Sequence, residues 1–406
     1  MAGPLQLTFV NYKKDSYIVV EGKTNADRFY IIRQGKVRLF KDVVIVEEEG
    51  SILGPGDFFG VVSTMSSHSQ VETAQAITDV TLISVMKEQY GQLIQNNTPV
   101  AMKIILQFSR RMRFLDEALT RLTLKNTAEE DVSHIFNVAE YYTRQSQYNQ
   151  AFYAYHQYIK RCPNGENINK AKEIMMKIGP YAKAVKLDFK PDEFNRIYPK
   201  DCMIFSEGEP GEELFIIQKG SVKIAKIVDN NEVLLAVLKT GDIFGEMALL
   251  ESKPRAACAV AYEECQLMAV NRANFERMVS TQPQIVSRLT TLLAERIWFI
   301  YKQLANTLVT DPTGRMYDAL LMQLEKSRIE INSSTYTFDF GPKELVNMVG
   351  IPAGEGPLIL RKLMENRKIQ IIKDKEKDKI HCLDVSEIAK QAAFYKKLQK
   401  IGRSAN

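Results

Sequence analysis

Between Gly241 and Ala261 the chain reads GDIFGEMALLESKPRAACAVA, and its residue types and spacing suit one task, the holding of an anionic ester. Gly245-Glu246 opens a short helical turn, and the first N–H groups of such a turn, those of Glu246, Met247 and Ala248, have no partner within it. They can face a phosphate. Nine residues after Glu246 stands Arg255, whose planar guanidinium makes the charge-assisted bonds a phosphate oxygen accepts. Ala256 and Ala257 follow, small enough to let backbone amides approach the same anion. Glu246 adds a carboxylate, an acceptor for a sugar hydroxyl. Gly-Glu turns and lone Pro-Arg pairs are common on surfaces, so the weight lies in their combination.

The elements that must position these residues are legible upstream. Tyr198 to Ile224, YPKDCMIFSEGEPGEELFIIQKGSVKI, alternates as strands do and carries turn glycines at Gly208, Gly211 and Gly220, a length suited to a small β-roll. Together with the Gly241 to Ala261 stretch it resembles the cyclic-nucleotide-binding domain and its phosphate-binding cassette. The resemblance implies a site for a cyclic nucleotide monophosphate, cyclic AMP or cyclic GMP, lined by Gly245, Glu246, Met247, Ala248, Arg255, Ala256 and Ala257. Arg255 would hold the phosphate and Glu246 the ribose 2′-hydroxyl. It also implies that the base is read from a long helix after the roll. Counting back without a gap from Asp311-Pro-Thr-Gly-Arg315 puts the two purine-contacting positions at Ile300 and Tyr301. Ile300 has no hydroxyl for an adenine amino group, while Tyr301 can stack on the purine or bond to it. Poor adenine-versus-guanine discrimination is the expectation.

The roll occurs twice. Tyr17 to Leu39, YIVVEGKTNADRFYIIRQGKVRL, parallels the later copy, and Gly35 to Gly60 spans 25 residues, as does Gly220 to Gly245. Aligned without a gap, the earlier cassette puts Val61 opposite Glu246 and Gln70 opposite Arg255, with Glu72 close by. Both charged contacts are gone, and each was worth about 1.5–3 kcal/mol. The first roll therefore reads as a structural or interaction copy, with an altered ligand as the alternative. Apolar residues at three- and four-residue spacing predict one long helix after each roll, over Gln89 to Leu124 and Phe275 to Val309. In the family such helices dimerise, so the resemblance implies a homodimer.

Between the rolls, Ile135 to Pro163 looks like one tetratricopeptide repeat, with Ala139, Tyr142, Tyr148, Ala151, Tyr155 and Tyr158 at its packing positions and Asn169 to Ile178 as a cap. A lone repeat cannot bury a core of its own, so the insert leans on the rolls or on another protein. A spacer and a partner-docking role stay open.

From Asp311, a capping Asp followed by Pro, the order is helical. Pro342 to Gly350, a turn, Ala353 to Arg367, and a hairpin over Ile369 to Val385 together resemble a winged helix-turn-helix. A sensory roll ahead of it is the layout of the Crp/Fnr family of transcription regulators. The second helix departs from that pattern: among Ile351 to Leu358 only Glu355 can bond to a base edge, and Gly354, Gly356 and Pro357 weaken a helix. Lys343, Arg361 and Lys362 can reach phosphates, but 17 Lys and Arg against 13 Asp and Glu from Asp311 onward make a faint electrostatic footprint. Weak, poorly selective DNA binding is the expectation. A further helix, Ser386 to Lys400, follows the wing.

The 406 residues thus divide into an α+β chain of four parts: a degenerate roll with its helix (1–125), a helical insert (126–182), a nucleotide-binding roll with its helix (183–310) and a winged-helix-like part (311–406). A net charge of +5 and a hydrophobic fraction of 45% neither demand nor exclude a nucleic acid. Five scattered cysteines without a C-x-x-C pair indicate neither a disulfide framework nor zinc, and point to a reducing, cytoplasmic setting. The opening residues lack a signal-peptide pattern and no run of about eighteen apolar residues occurs, so no membrane is expected. No phosphate loop ending in Lys-Ser/Thr, no H-E-x-x-H and no histidine pairing supports catalysis. Two outputs stay open: a nucleotide-gated transcription regulator, and an adapter that binds protein partners and has lost sequence-specific DNA reading.

Overall fold

The computed structural model describes residues 7–404, except 25, 42–51, 125–132, 184, 186–188, 190–192, 229–230, 352–353 and 375–376. Pro352, Ala353, Lys375 and Glu376 thus lie outside the described residues. The chain divides into two compact units, one holding both rolls and most of the helices between them as far as Ile297, the other holding the chain from Trp298 together with the stretch that begins at Ala118.

The first roll contains β1 (Thr8–Tyr12), β2 (Tyr17–Val19), β3 (Arg28–Gln34), β4 (Val37–Phe40), β5 (Ile52–Leu53), β6 (Phe58–Phe59), the short helix α1 (Val61–Ser66), β7 (Thr73–Ala76) and β8 (Val80–Met86). Its antiparallel sheets run β1-β8-β3-β6 and β2-β7-β4-β5. Alternate side chains of both sheets, among them Tyr30, Ile32, Val37, Phe59, Ala74 and Leu82, meet in one core. Helices α2 (Tyr90–Asn96) and α3 (Thr98–Leu124) follow. One helix was expected from Gln89; the structure has two, because Asn97 and Thr98 precede Pro99, which cannot donate within a helix and suits its first turn.

Next come α4 (His134–Arg144), α5 (Tyr148–Arg161) and α6 (Ile168–Ile178). The first two form an antiparallel hairpin whose aromatics, Phe136, Tyr142, Tyr155 and Tyr158, are buried. That cluster continues into Met203, Ile227, Cys258 and Val260 of the second roll, so the insert leans on that roll.

The second roll repeats the order: β9 (Asn195–Tyr198), β10 (Met203–Phe205), β11 (Glu213–Lys219), β12 (Ser221–Val228), β13 (Asn231–Lys239), β14 (Ile243–Phe244), α7 (Glu246–Glu251), β15 (Cys258–Ala261) and β16 (Cys265–Asn271). Its sheets, β14-β11-β16-β9 and β10-β15-β12-β13, are those of the first roll over again. Helices α8 (Arg272–Thr281) and α9 (Pro283–Thr307) follow, and the single helix expected from Phe275 to Val309 is again broken before a proline, at Gln282. Within this unit the rolls meet through Tyr90 and Thr290, hydroxyl to hydroxyl at 2.9 Å.

The second unit holds α10 (Pro312–Lys326), β17 (Tyr336–Thr337), α11 (Pro342–Met348), α12 (Gly356–Met364), the hairpin β18 (Ile369–Asp374) and β19 (Lys377–Cys382), and α13 (Val385–Ser404). Asp311 caps α10 as its position predicts, accepting from the N–H groups of Thr313 and Gly314. The reading of Gly356 and Pro357 as helix-weakening is corrected. Gly356 starts α12 where a Cβ would stand 3.0 Å from a Val346 methyl, so it permits the helices to cross closely. Pro357 lies in the first turn, where no N–H is needed. Gly314 does the same for α13, whose Tyr395 would meet a Cβ there at 2.7 Å. Among the described residues no helix is long and apolar enough to cross a membrane.

Candidate functional site

β14 is followed by Gly245, whose φ of 77° turns the chain into α7, and α7 is closed by Ser252 with φ 56°. The loop that follows is stitched to the one after β10: Pro210 pairs with Pro254, Gly208 N–H donates to Arg255 O at 2.9 Å, and Arg255 N–H to Glu209 O at 2.8 Å. These bonds fix the arginine's backbone. Its side chain, 6% exposed, then runs inward over the Phe205 ring, with the guanidinium carbon 4.1 Å from the ring centre. Nη1 donates to Gly245 O at 2.7 Å and Nη2 to Glu213 O at 2.8 Å, while Nε has no partner.

Two glycines make room for it. A Cβ on Gly245 would come within 2.7 Å of Nη1, and one on Gly211 within 2.6 Å of Nε. Ala248 and Ala257 are buried, and Met247 and Ala256 half-buried, around the same loop. Burial holds the Arg255 guanidinium below its ordinary pKa, against the pull of Glu209 and other acids nearby. A desolvated cation with one unused N–H is what a buried phosphodiester would need, so these residues fit the anion expected from the sequence.

Glu246, 2% exposed, does not face the arginine of its own cassette. It takes Nη1 of Arg296 on α9 at 3.3 Å, and Nη2 of that arginine donates to Ile243 O at 3.0 Å. Arg296 is therefore a site residue that the sequence reading did not assign. Ile300 and Tyr301, the expected base-reading pair, fall one turn further along α9, and both are buried.

Two neighbours brace the cassette. On α5, Tyr153 donates to Ile204 O at 3.1 Å and lies 3.2 Å from a carboxylate oxygen of Glu209, which also accepts from Ser206 N–H at 3.0 Å. Burial raises the Glu209 carboxyl above its ordinary pKa, with those partners and Arg255 opposing. On α3, Ser109 donates to Glu251 at 2.7 Å, Arg113 bonds the same carboxylate at 3.2 Å, and Arg113 reaches Pro254 O at 3.3 Å. One turn on, Asp116 lies among Lys226, Arg296 and Glu246, and burial pushes its carboxyl up to about 7.

The first roll shows the same backbone with other side chains. Gly60 has φ 80° and Ser67 φ 53°; Gly22 N–H donates to Gln70 O at 2.8 Å, and Gln70 N–H to Lys23 O at 2.9 Å. Gln70 therefore stands where Arg255 does and Val61 where Glu246 does, as the ungapped alignment requires. Glu72, in the place of Ala257, pairs with Arg111 of α3 at 2.5 Å. In the second unit, Lys343, Glu355, Arg361 and Lys362 are all exposed on α11, α12 and the turn before α12. Among the described residues no cluster of His, Cys, Asp and Glu could hold a metal ion.

The family model for the cyclic nucleotide-binding domain matches residues 9–97 and again 195–282. The CRP-like cAMP-activated global transcriptional regulator of Mycobacterium tuberculosis is 30% identical over 155 residues, 38% of this chain and 69% of that protein. The cAMP-activated global transcriptional regulator CRP of Pasteurella multocida is 28% identical over 174 residues, 42% of this chain and 83% of that protein. Among solved structures, the regulatory domain of Toxoplasma gondii PKA with cAMP is 16% identical over 70% of this chain and 84% of that one, with a TM-score of 0.22. With the domain present twice and identity of 30% across more than two thirds of a Crp-like regulator, the chain belongs to the Crp/Fnr family.

Proposed function

We propose that the chain is a cyclic-nucleotide-responsive transcription regulator whose second roll binds cyclic AMP or cyclic GMP and whose segment from Asp311, read as a winged helix-turn-helix, is the output. One observation carries this: Arg255 is buried on an aromatic ring, with Nε unsatisfied, in a cradle that only Gly211 and Gly245 leave open. In this reading Arg255 neutralises the phosphate in a water-poor site, and Glu246, oriented by Arg296, accepts from a ribose hydroxyl. The N–H groups of Met247 and Ala248 and the small Ala256 and Ala257 complete the anion's surroundings. The test is isothermal titration of the full chain with each cyclic nucleotide. Arg255→Ala should weaken binding roughly tenfold to a hundredfold, from loss of charge-assisted bonds, and equal affinity in both proteins would place the site elsewhere.

Contact with DNA in this reading comes from Lys343, Arg361 and Lys362 on phosphates and Glu355 on a base edge. The outward start of α12 offers little more, since Leu358 is 63% exposed. That residue favours the second reading, an adapter that meets a protein through this face or through α4 and α5. A gel-shift series in rising salt separates the two: nanomolar, ligand-dependent binding to one palindrome at physiological salt, lost on Glu355→Ala, supports sequence reading and removes the adapter. The paired long helices expected between two chains we read as met inside one. Ile104, Ile105, Phe108 and Met112 of α3 and Leu289, Leu293 and Ile297 of α9 are each at most 3% exposed in a single chain.

A further inference from the structure

The insert touches the second roll at one place that apolar packing does not explain. Tyr153 of α5 is buried, and its hydroxyl lies between Ile204 O at 3.1 Å and the two carboxylate oxygens of Glu209 at 3.3 and 3.2 Å. Glu209, also buried, belongs to the loop that frames the cassette arginine. Its carbonyl accepts from Arg255 N–H at 2.8 Å, and two residues on stands Gly211, where a Cβ would come within 2.6 Å of Nε. A buried acid is thus fixed beside a buried cation whose Nε–H has no acceptor. Groups desolvated side by side ordinarily pair, because their attraction offsets part of the cost of burying each. Here the carboxylate takes the Ser206 N–H and the insert's hydroxyl instead. The first roll serves as a control: the loop residue with the same backbone bond is Lys23 and the cassette residue is Gln70, so the acid and the cation are both missing.

We propose that Tyr153 is a positioning residue for the second roll's nucleotide site: by holding the Glu209 carboxylate, it keeps the free Nε–H of Arg255 open for the ligand's phosphate. The proposal rests on the reading of that roll as a cyclic nucleotide site. Carboxylate and phosphate are both acceptors that suit a guanidinium, and one N–H serves one of them well. Of the acids that act on Arg255, Glu209 acts most strongly. Without the tyrosine hydroxyl its carboxylate is short of a donor in a buried place, where water does not replace it. The nearby Nε–H then becomes its substitute. The loop's backbone bonds make that substitute a poorer partner for the carboxylate than the hydroxyl was, yet the exchange costs the ligand its donor. A phosphate must then displace an internal anion, and binding weakens. The insert is on this account an input to the nucleotide site, since whatever shifts α5 shifts the acid that competes for Arg255.

The experiment is isothermal titration of the full chain with cyclic AMP and cyclic GMP for wild type, Tyr153→Phe, Glu209→Gln and the double variant, each checked by thermal melting. Phenylalanine keeps the ring and removes only the hydroxyl. Tyr153→Phe should bind the wild type's nucleotide roughly tenfold more weakly. In the Glu209→Gln background no anion competes, and the same change should alter affinity by less than about twofold. A brace that acted only by packing would cost the same in both backgrounds. Equal affinity in Tyr153→Phe and wild type, or equal losses in the two backgrounds, overturns the proposal while leaving the nucleotide site standing. If Tyr153→Phe does not fold, Glu209→Gln decides alone: it should bind at least as tightly as wild type, and weaker binding overturns the proposal. A folded wild type that binds neither nucleotide overturns both.

Discussion

The two rolls share strand order, sheet pairing and the left-handed glycine before the cassette helix, yet they spend one arginine in opposite ways. In the second roll Arg296 holds Glu246, which leaves Arg255 with an unsatisfied Nε. In the first, the equivalent Arg111 holds Glu72, a carboxylate set in place of Ala257, and the cassette arginine has become Gln70. The backbone conformation of the cassette is thus preserved where its two charged side chains are gone and an acid has been added. Binding in this fold resides in a few side chains. What the first roll keeps is its helix, and α3 grips the second roll's cassette at Glu251 and Pro254.

The largest effect is expected from breaking that grip. Arg113 and Glu251 are paired with their side chains 4% and 5% exposed. Removing one member of a buried ion pair strands the other, at a cost of about 3–5 kcal/mol. Urea unfolding of Arg113→Ala should show that loss. A change below about 1 kcal/mol would mean that the rolls do not depend on this contact.

Next in size is the exchange of site residues between the rolls. Arg255→Gln gives the second roll the first roll's residue and should lower nucleotide affinity roughly tenfold to a hundredfold. The converse is the sharper test. Val61→Glu, Gln70→Arg and Glu72→Ala together release Arg111 from Glu72 and offer it a glutamate where Arg296 has one. Calorimetric stoichiometry should then rise from one nucleotide per chain to two. Two sites per chain in the wild type would refute the comparison itself.

Much of this was legible in sequence because the rolls are repeats: an ungapped alignment found Val61 opposite Glu246 and Gln70 opposite Arg255, and the paired backbone bonds of Gln70 and Arg255 agree with it. The contacts that Arg296 and Arg113 make with the cassette were not legible. Each acts across 50 to 141 positions of chain, which helical periodicity cannot register, and on a helical wheel a charged residue beside an apolar stripe reads as solvated. Arg296 alone left a trace, since Arg111 occupies the same place in the other copy. The helix breaks at Asn97 and Gln282 were marked by Pro99 and Pro283, but unbroken apolar spacing on both sides concealed them.

The smallest effect concerns a brace that only the second roll has. Where Gln70 bonds the backbone of Lys23, Arg255 bonds that of Glu209, whose buried carboxylate faces the hydroxyl of Tyr153. Tyr153→Phe removes that donor and the bond to Ile204 O, at a cost of about 1 kcal/mol. The cost should depend on pH. Because burial holds the Glu209 carboxyl above its unfolded pKa, the folded protein binds the proton more tightly, and stability falls as pH rises from the ordinary carboxylate range through the raised value. Losing the tyrosine donor raises that carboxyl further and widens the window upward. The variant should therefore lose more stability relative to wild type at pH 8 than at pH 5, because each Glu209 that takes up a proton no longer needs the donor. Urea midpoints at the two pH values measure the difference, and an equal loss at both would show that Tyr153 acts on this loop through packing alone.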